Sequence, residues 1–291
     1  MAAPVRPRRS VLYMPGSNAR ALEKGRSLAA DALIMDLEDA VAPDAKVQGR
    51  ETILKALGDK AAFGRREIVV RVNGLDTPWG QADLAAMAGA GADAILLPKV
   101  ESADMVRRAA SVLDAAGGPA DLALWCMMET PRGILHAEEI ADNPRVACLV
   151  MGTSDLTKDL QAQHTAMRLP MLPSLGLCLL AARAAGIAIV DGVHLDLNDE
   201  EGFRESCRQG RELGFDGKTL IHPRQLDAAN ATFGPSEEAI AQARKIIAAF
   251  EAARAEGKGV VVVDGRLVEN LHVAEARRLV ALDEAIRAGA G

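Results

Sequence analysis

Eight short apolar runs, at 11–14, 32–35, 68–70, 94–97, 122–128, 148–151, 187–190 and 219–221, recur roughly every 20 to 40 residues along the chain. Most end on a charged or hydrogen-bonding residue rather than on a neutral turn. Asp36-Leu37-Glu38-Asp39 follows the second run, Arg71 the third, Pro98-Lys99 the fourth, Glu129 the fifth and Gly152-Thr153-Ser154-Asp155 the sixth. Runs this short do not separate a buried strand from a buried helix segment by periodicity, so spacing decides. Between them lie Ala-, Glu-, Arg- and Leu-rich stretches, at 20–29, 45–57, 82–90 and 103–116, with helical composition. Strands that read as continuous apolar runs and alternate with helices belong to a parallel sheet covered on both faces.

Eight such units predict an α/β fold, a (β/α)8 TIM barrel, whose reactive groups stand at the C-terminal ends of the strands. The competing open doubly wound sheet calls for a Gly-rich phosphate fingerprint after its first strand, and Pro15-Gly16-Ser17 is not one. The barrel is expected over 1–233. The chain changes character at Phe233-Gly234-Pro235-Ser236, and a C-terminal helical extension is expected over 234–291. In it, a helix starts at Ser236 and runs to Glu256, a hairpin turns around Asp264-Gly265, and a last helix covers Val273 to Ile286. So small a tail has no core of its own, so it must pack on its own barrel or on a neighbour's, and an oligomer is expected.

The balance of charge narrows the partners. A net charge of −6, aromatics at 3% and scattered Lys and Arg argue against nucleic acid. No apolar stretch reaches membrane-spanning length, so no membrane partner is expected. Cys126, Cys148, Cys178 and Cys207 lie 20 or more residues apart, in neither a zinc spacing nor a secreted framework. The expected location is therefore cytoplasmic. Arg6-Pro7-Arg8-Arg9 is basic without the apolar segment of a secretory signal, and is expected to be a frayed end.

In a barrel, Glu129 and Asp155 stand on adjacent strands at one rim. Two carboxylates without a nearby His or Cys suit a hard divalent cation, Mg²⁺ above all. The competing reading makes each a helix cap, or pairs them with Arg132 and Lys158. Arg71 at the same rim can grip a substrate carboxylate, or form a buried ion pair with Asp36, Glu38 and Asp39, and the two roles are compatible. Strand alternation aims Asp36 and Glu38 to one side. Arg20 and Lys24, one helical turn apart, suit phosphates or a solvated face. His222 reads as a structural imidazole, His164 sits in a loop from Leu160 to Pro173 that could cover the site, and Gly152-Thr153-Ser154 has no triad partners.

Taken in order, these strand endings resemble the citrate lyase beta-subunit-like CoA-ester lyases of the HpcH/HpaI aldolase group, from about Arg9 to Ile286. The resemblance is carried by Arg9-Ser10-Val11-Leu12-Tyr13-Met14-Pro15-Gly16-Ser17, Asp36-Leu37-Glu38-Asp39, Arg71-Val72-Asn73-Gly74, Pro98-Lys99-Val100, Met128-Glu129-Thr130 and Gly214-Phe215-Asp216-Gly217-Lys218 through His222-Pro223. It implies Glu129 and Asp155 as ligands of Mg²⁺, with Mn²⁺ as a substitute. Arg71, with the acids Glu38 and Asp39 beside it, falls where the family binds the substrate carboxylate or keto oxygen. Arg20 and Lys24 fall where it contacts coenzyme A, here part of the acyl-CoA substrate. Asp264 resembles the acid that the extension delivers to a neighbouring subunit, which implies a homotrimer or hexamer.

Within the group the chain is similar to the malyl-CoA enzymes, and Met151 to Leu156, Leu175 to Arg183 and Val268 to Val273 are similar to their thioesterase branch. Ser154 departs from the Asn expected there. The reaction put first is retro-aldol (Claisen) cleavage of a malyl-CoA-type substrate to acetyl- or propionyl-CoA and glyoxylate. Hydrolysis to malate and CoA is the alternative, and a non-catalytic CoA-binding subunit of a lyase complex a further one.

Overall fold

The structure, a computed structural model, describes residues 5–289. Two compact units divide the chain, one of them Arg8–Asn230 and the other including the segment from Ala231 onward.

The larger unit carries eight parallel strands: β1 (Ser10–Pro15), β2 (Ala32–Asp36), β3 (Glu67–Arg71), β4 (Ala94–Leu97), β5 (Ala123–Met128), β6 (Val146–Met151), β7 (Ala188–Asp191) and β8 (Gly217–Leu220). Each pairs with the next, and β8 returns to β1 through Ser10↔Lys218, Val11↔Thr219 and Leu12↔Leu220, so the expected barrel closes. Between the strands run α1 (Ala19–Gly25), α2 (Lys46–Leu57), α3 (Gly80–Met87), α4 (Ala103–Ala115), α5 (Pro131–Leu135), α6 (Ala137–Ala141), α7 (Thr153–Asp159), α8 (Leu172–Ala185) and α9 (Glu200–Leu213), with α10 (Leu226–Phe233) after β8. Val11, Ile34, Val69, Leu96, Trp125, Cys148, Val150 and Val190 pack in one buried cluster. Branched and aromatic side chains of this kind make a barrel interior a packed core rather than a pore.

Two local expectations are corrected. The eighth apolar run covers 219–221, but the strand starts two residues earlier, at Gly217, because it contains Lys218, 1% exposed and paired with Asp191 of β7 at 2.9 Å. A buried ion pair interrupts the apolar signal that marks a strand. The basic N-terminal segment is not frayed at Arg8 and Arg9. Arg8 bonds Glu67 at 2.7 and 2.8 Å and lies 5.0 Å over the Trp125 ring, while Arg9 holds Asp31 at 2.7 and 2.8 Å. Charge pairing and a cation–π contact fix it to the strands.

From Ala231 onward the chain forms α11 (Glu237–Ala255), β9 (Val261–Val263), β10 (Arg266–Val268) and α12 (Asn270–Gly289). Ser236 caps α11, accepting from the Ala239 N–H at 3.1 Å. The hairpin turns at Asp264-Gly265, both with positive φ (49° and 76°), the two-residue geometry that matches strand twist. Phe250, Val263, Val268 and Val273 make a small core, while Val260, Val262, Leu267 and Leu271 remain exposed. The last helix starts at Asn270, three residues before the expected Val273, because His272 Nδ1 accepts from the Glu269 N–H at 3.1 Å just ahead of it. Among the described residues no helix is long and apolar enough to cross a membrane.

Candidate active site

The C-terminal ends of the strands enclose a cavity of about 340 Å³ lined by Tyr13, Asp36, Arg71, Met127, Glu129 and Asp155 among others. Its acidic wall begins at the end of β2. Asp36 accepts from the Glu38 and Ala40 N–H groups at 2.9 and 3.0 Å, which coils the chain back on itself. The Lys46 ammonium, from α2, holds the Leu37 and Glu38 carbonyls at 2.8 and 2.7 Å.

Against this turn lies Arg71, the last residue of β3. Its Nε and Nη2 each donate to Asp36 at 2.7 Å. Nη1 lies 2.7 Å from Glu38 Oε2, outside hydrogen-bond alignment, and 3.5 Å from Asp39. The guanidinium stacks 4.9 Å over the Tyr13 ring. Asp36 and Glu38 thus reach the same cation, as alternation predicts, but through the turn that follows β2, since the strand ends at Asp36. The bidentate edge is occupied by Asp36, so only the Nη1 side of Arg71 faces further acceptors.

Glu129 follows β5 and is 2% exposed. Its Oε1 accepts from the Lys99 N–H at 2.8 Å. Its Oε2 lies against Gly152, where an added Cβ would stand 2.4 Å from Glu129 Cβ and 2.5 Å from Oε2. Only glycine lets the two strand ends approach so closely. Burial first, and then the charge of Glu38, push the Glu129 carboxyl up to about 7, against the Lys99 N–H and Arg71. Asp155 sits in the first turn of α7 with its side chain 34% exposed, and Lys99 Nζ bridges it (3.7 Å) to Glu38 Oε1 (3.1 Å).

Neither carboxylate caps a helix. Thr130 caps α5, accepting from Gly133 at 3.0 Å, and the residue before α7 is Gly152, which has no side chain. Arg132 is drawn instead to Glu101, at 4.0 Å. The pair offers oxygen donors only, which suits a hard cation that keeps water or substrate oxygens in its remaining positions. No group of three or more metal-ligating His, Cys, Asp or Glu forms among the described residues. Lys99, in its positive-φ backbone, stands where a cation is wanted, and the sequence reading gave it no role.

Several of the other candidates have contacts of their own. Arg20 and Lys24 are exposed on α1. Asp264, at the hairpin tip and 49% exposed, pairs with Lys245 and accepts from Gln242 at 3.1 Å, bonds that hold its carboxyl below the usual range. His222 is structural, accepting from the Arg224 N–H at 3.2 Å. His164 is exposed. The loop that carries it is held from below, since Arg168 reaches Asp191 at 2.7 and 2.8 Å and Gln209 at 2.6 Å. All four cysteines are free and buried.

Three comparisons place the chain among known proteins. The profile of the HpcH/HpaI aldolase/citrate lyase family matches residues 9–223. A (3S)-malyl-CoA thioesterase of Cereibacter sphaeroides is 56% identical over 288 residues, 99% of both chains. An L-malyl-CoA/beta-methylmalyl-CoA lyase of the same species is 37% identical over 99% of this chain and 98% of the other. The crystal structure of CitE from Mycobacterium tuberculosis, in complex with magnesium, acetoacetate and coenzyme A, superposes with a TM-score of 0.75 at 31% identity, covering 98% of each chain. These findings correct one expectation. Carbon–carbon cleavage was put ahead of hydrolysis, but the thioesterases stand at 56% identity and the lyases at 37%. The strand-end motifs are shared across the family and do not by themselves separate the two reactions. On full-length similarity and on the closed barrel with its acidic rim, the chain belongs to the HpcH/HpaI aldolase/citrate lyase family, as an enzyme of the CoA-ester lyase group.

Proposed function

We propose that this enzyme hydrolyses the thioester of a (3S)-malyl-CoA-type substrate, releasing malate and CoA. The observation that carries the reading is the 56% identity, over essentially the whole length of both chains, to a (3S)-malyl-CoA thioesterase. Mg²⁺ held by Glu129 and Asp155, with Mn²⁺ as a substitute, supplies positive charge to the substrate oxygens. Arg71, fixed by Asp36, Glu38 and Asp39, turns its Nη1 side toward the malyl carboxylate. Arg20 and Lys24 hold CoA phosphates.

Asp264 is the general base, delivered from a neighbouring copy of the chain in a homotrimer or hexamer. One observation supports this: Val260, Val262, Leu267 and Leu271 leave an apolar surface on the same segment exposed. Asp264 takes a proton from water as the water oxygen bonds to the thioester carbon. The carbon–sulfur bond then breaks, and the proton passes to the departing thiolate.

Purified full-length protein incubated with (3S)-malyl-CoA and Mg²⁺ tests the reading. Equal amounts of free CoA thiol and malate, lost on chelation, are expected. Glyoxylate with acetyl-CoA, or no turnover, would overturn it.

A further inference from the structure

Lys99 follows β4 with a φ of 47°, a left-handed conformation that non-glycine residues adopt at a steric cost. One consequence is that its N–H meets Glu129 Oε1 at 2.8 Å. Another is that its ammonium lies between carboxylates from two other parts of the rim, 3.1 Å from Glu38 Oε1 and 3.7 Å from Asp155 Oδ2. One residue thus touches Glu129 with its backbone and Asp155 with its side chain.

The charges around the cavity are crowded. Asp36, Glu38, Asp39 and Asp155 meet the side chains of Arg71 and Lys99, with the Lys46 ammonium behind on the Leu37 and Glu38 carbonyls. Arg71 and Lys99 differ in freedom. Arg71 is 7% exposed, stacked on Tyr13 and held by Asp36 on two of its nitrogens. The Lys99 side chain is 51% exposed, and its four-carbon stem can carry the ammonium outward without moving the backbone.

We propose that Lys99 is a resident counter-cation: it holds Glu38 and Asp155 together while no divalent ion is present, and it must give way when one binds between Glu129 and Asp155. This rests on the metal reading of those two carboxylates. Removing the ammonium then has two opposite effects. The empty rim loses its neutralising charge and is destabilised. The divalent ion no longer breaks an ion pair or sits near a like charge, so it binds more tightly, on the order of tenfold for charges several ångströms apart in a partly solvated site.

The test uses chelator-stripped full-length protein in three forms: wild type, Lys99→Met and Lys99→Arg. All three bear the same cost of a left-handed backbone, and Lys99→Gln replaces the methionine variant if that one fails to fold. Free Mn²⁺ is followed by electron paramagnetic resonance and Mg²⁺ by calorimetry. Lys99→Met is expected to bind on the order of tenfold more tightly than wild type and Lys99→Arg within about twofold of it. Without metal, Lys99→Met should melt about 2 to 4 °C below wild type, and saturating Mg²⁺ should close that gap. Equal or weaker binding by Lys99→Met, with wild type binding normally, overturns the proposal and leaves the metal reading standing. No Mn²⁺ bound by any form overturns both.

Discussion

Asp36 holds Arg71 through two bonds of 2.7 Å, one to Nε and one to Nη2, across the ends of β2 and β3. The edge of the guanidinium best shaped for a carboxylate is therefore filled from within the protein, and what remains is a fixed Nη1 side. Asp36→Asn should leave a buried guanidinium short of charge, and removing one partner of such a pair costs about 3–5 kcal/mol. Urea denaturation at neutral pH checks the loss. A variant within about 0.5 kcal/mol of wild type would mean that Glu38 and Asp39 suffice to hold Arg71.

Gly152→Ala places a methyl group 2.4 Å from Glu129 Cβ and 2.5 Å from Oε2. Because Gly152 has an ordinary negative φ of −100°, the backbone accepts alanine and the whole effect is steric. Overpacking of this kind costs about 1–3 kcal/mol, and it falls on the carboxylate assigned to the metal. The expected outcome is a folded protein whose Mg²⁺ affinity drops at least about tenfold, read by calorimetry.

Asp264→Asn should leave stability within about 0.5 kcal/mol of wild type, since the side chain is exposed. Thioester hydrolysis should fall by about 10²- to 10⁴-fold, the usual weight of a general base. Mixing this variant with Glu129→Gln under conditions that exchange subunits should restore part of the activity, because some sites then combine two intact halves. No recovery would place Asp264 and Glu129 of one chain in the same site.

Asp191, fully buried at the end of β7, contributes to stability in a pH-dependent way. Burial pushes its carboxyl up, but Lys218 and Arg168 outweigh burial and hold it below the usual carboxylate range. A group depressed in this way stabilises the fold above its unfolded pKa, near 3.9, and the contribution fades as pH falls through the folded value. Asp191→Asn should therefore cost about 3–5 kcal/mol at pH 7, with Lys218 left buried and uncompensated. The gap between variant and wild type should narrow below about pH 4 in urea titrations run at several pH values.

Arg168→Met removes the bonds from Arg168 to Asp191 and Gln209, leaving the segment between α7 and α8 the 2.6 Å bond from Gln209 Nε2 to the Met167 carbonyl. Limited proteolysis should cut the variant within residues 160–171 faster than wild type, while Lys218 still satisfies Asp191 and the barrel stays folded. Equal cutting rates would show that the segment is held by other contacts.

The architecture and the residues of the rim are legible in the order of residues alone. Eight apolar runs bounded by helical stretches permit little but a closed barrel, and Asp36, Arg71, Glu129 and Asp155 come to one rim because each stands at or just past the C-terminal end of its strand. Local chemistry also fixed the hairpin at Asp264-Gly265, since two consecutive positive φ values require such residues. Tertiary structure decided what no local pattern encodes. Lys218 is a strand residue because Asp191 on the next strand neutralises it, a pairing 27 positions apart. Gly152 matters through the space it leaves for Glu129, and Lys99 through a left-handed backbone that brings one residue to three carboxylates. These are distances between strand ends, and chain order carries no measure of them. The choice between hydrolysis and carbon–carbon cleavage escaped the motifs for a related reason: hydrolysis needs a water at the thioester carbon, cleavage acts on the bond to the hydroxyl-bearing carbon, and residue types at strand ends do not say which of the two is approached.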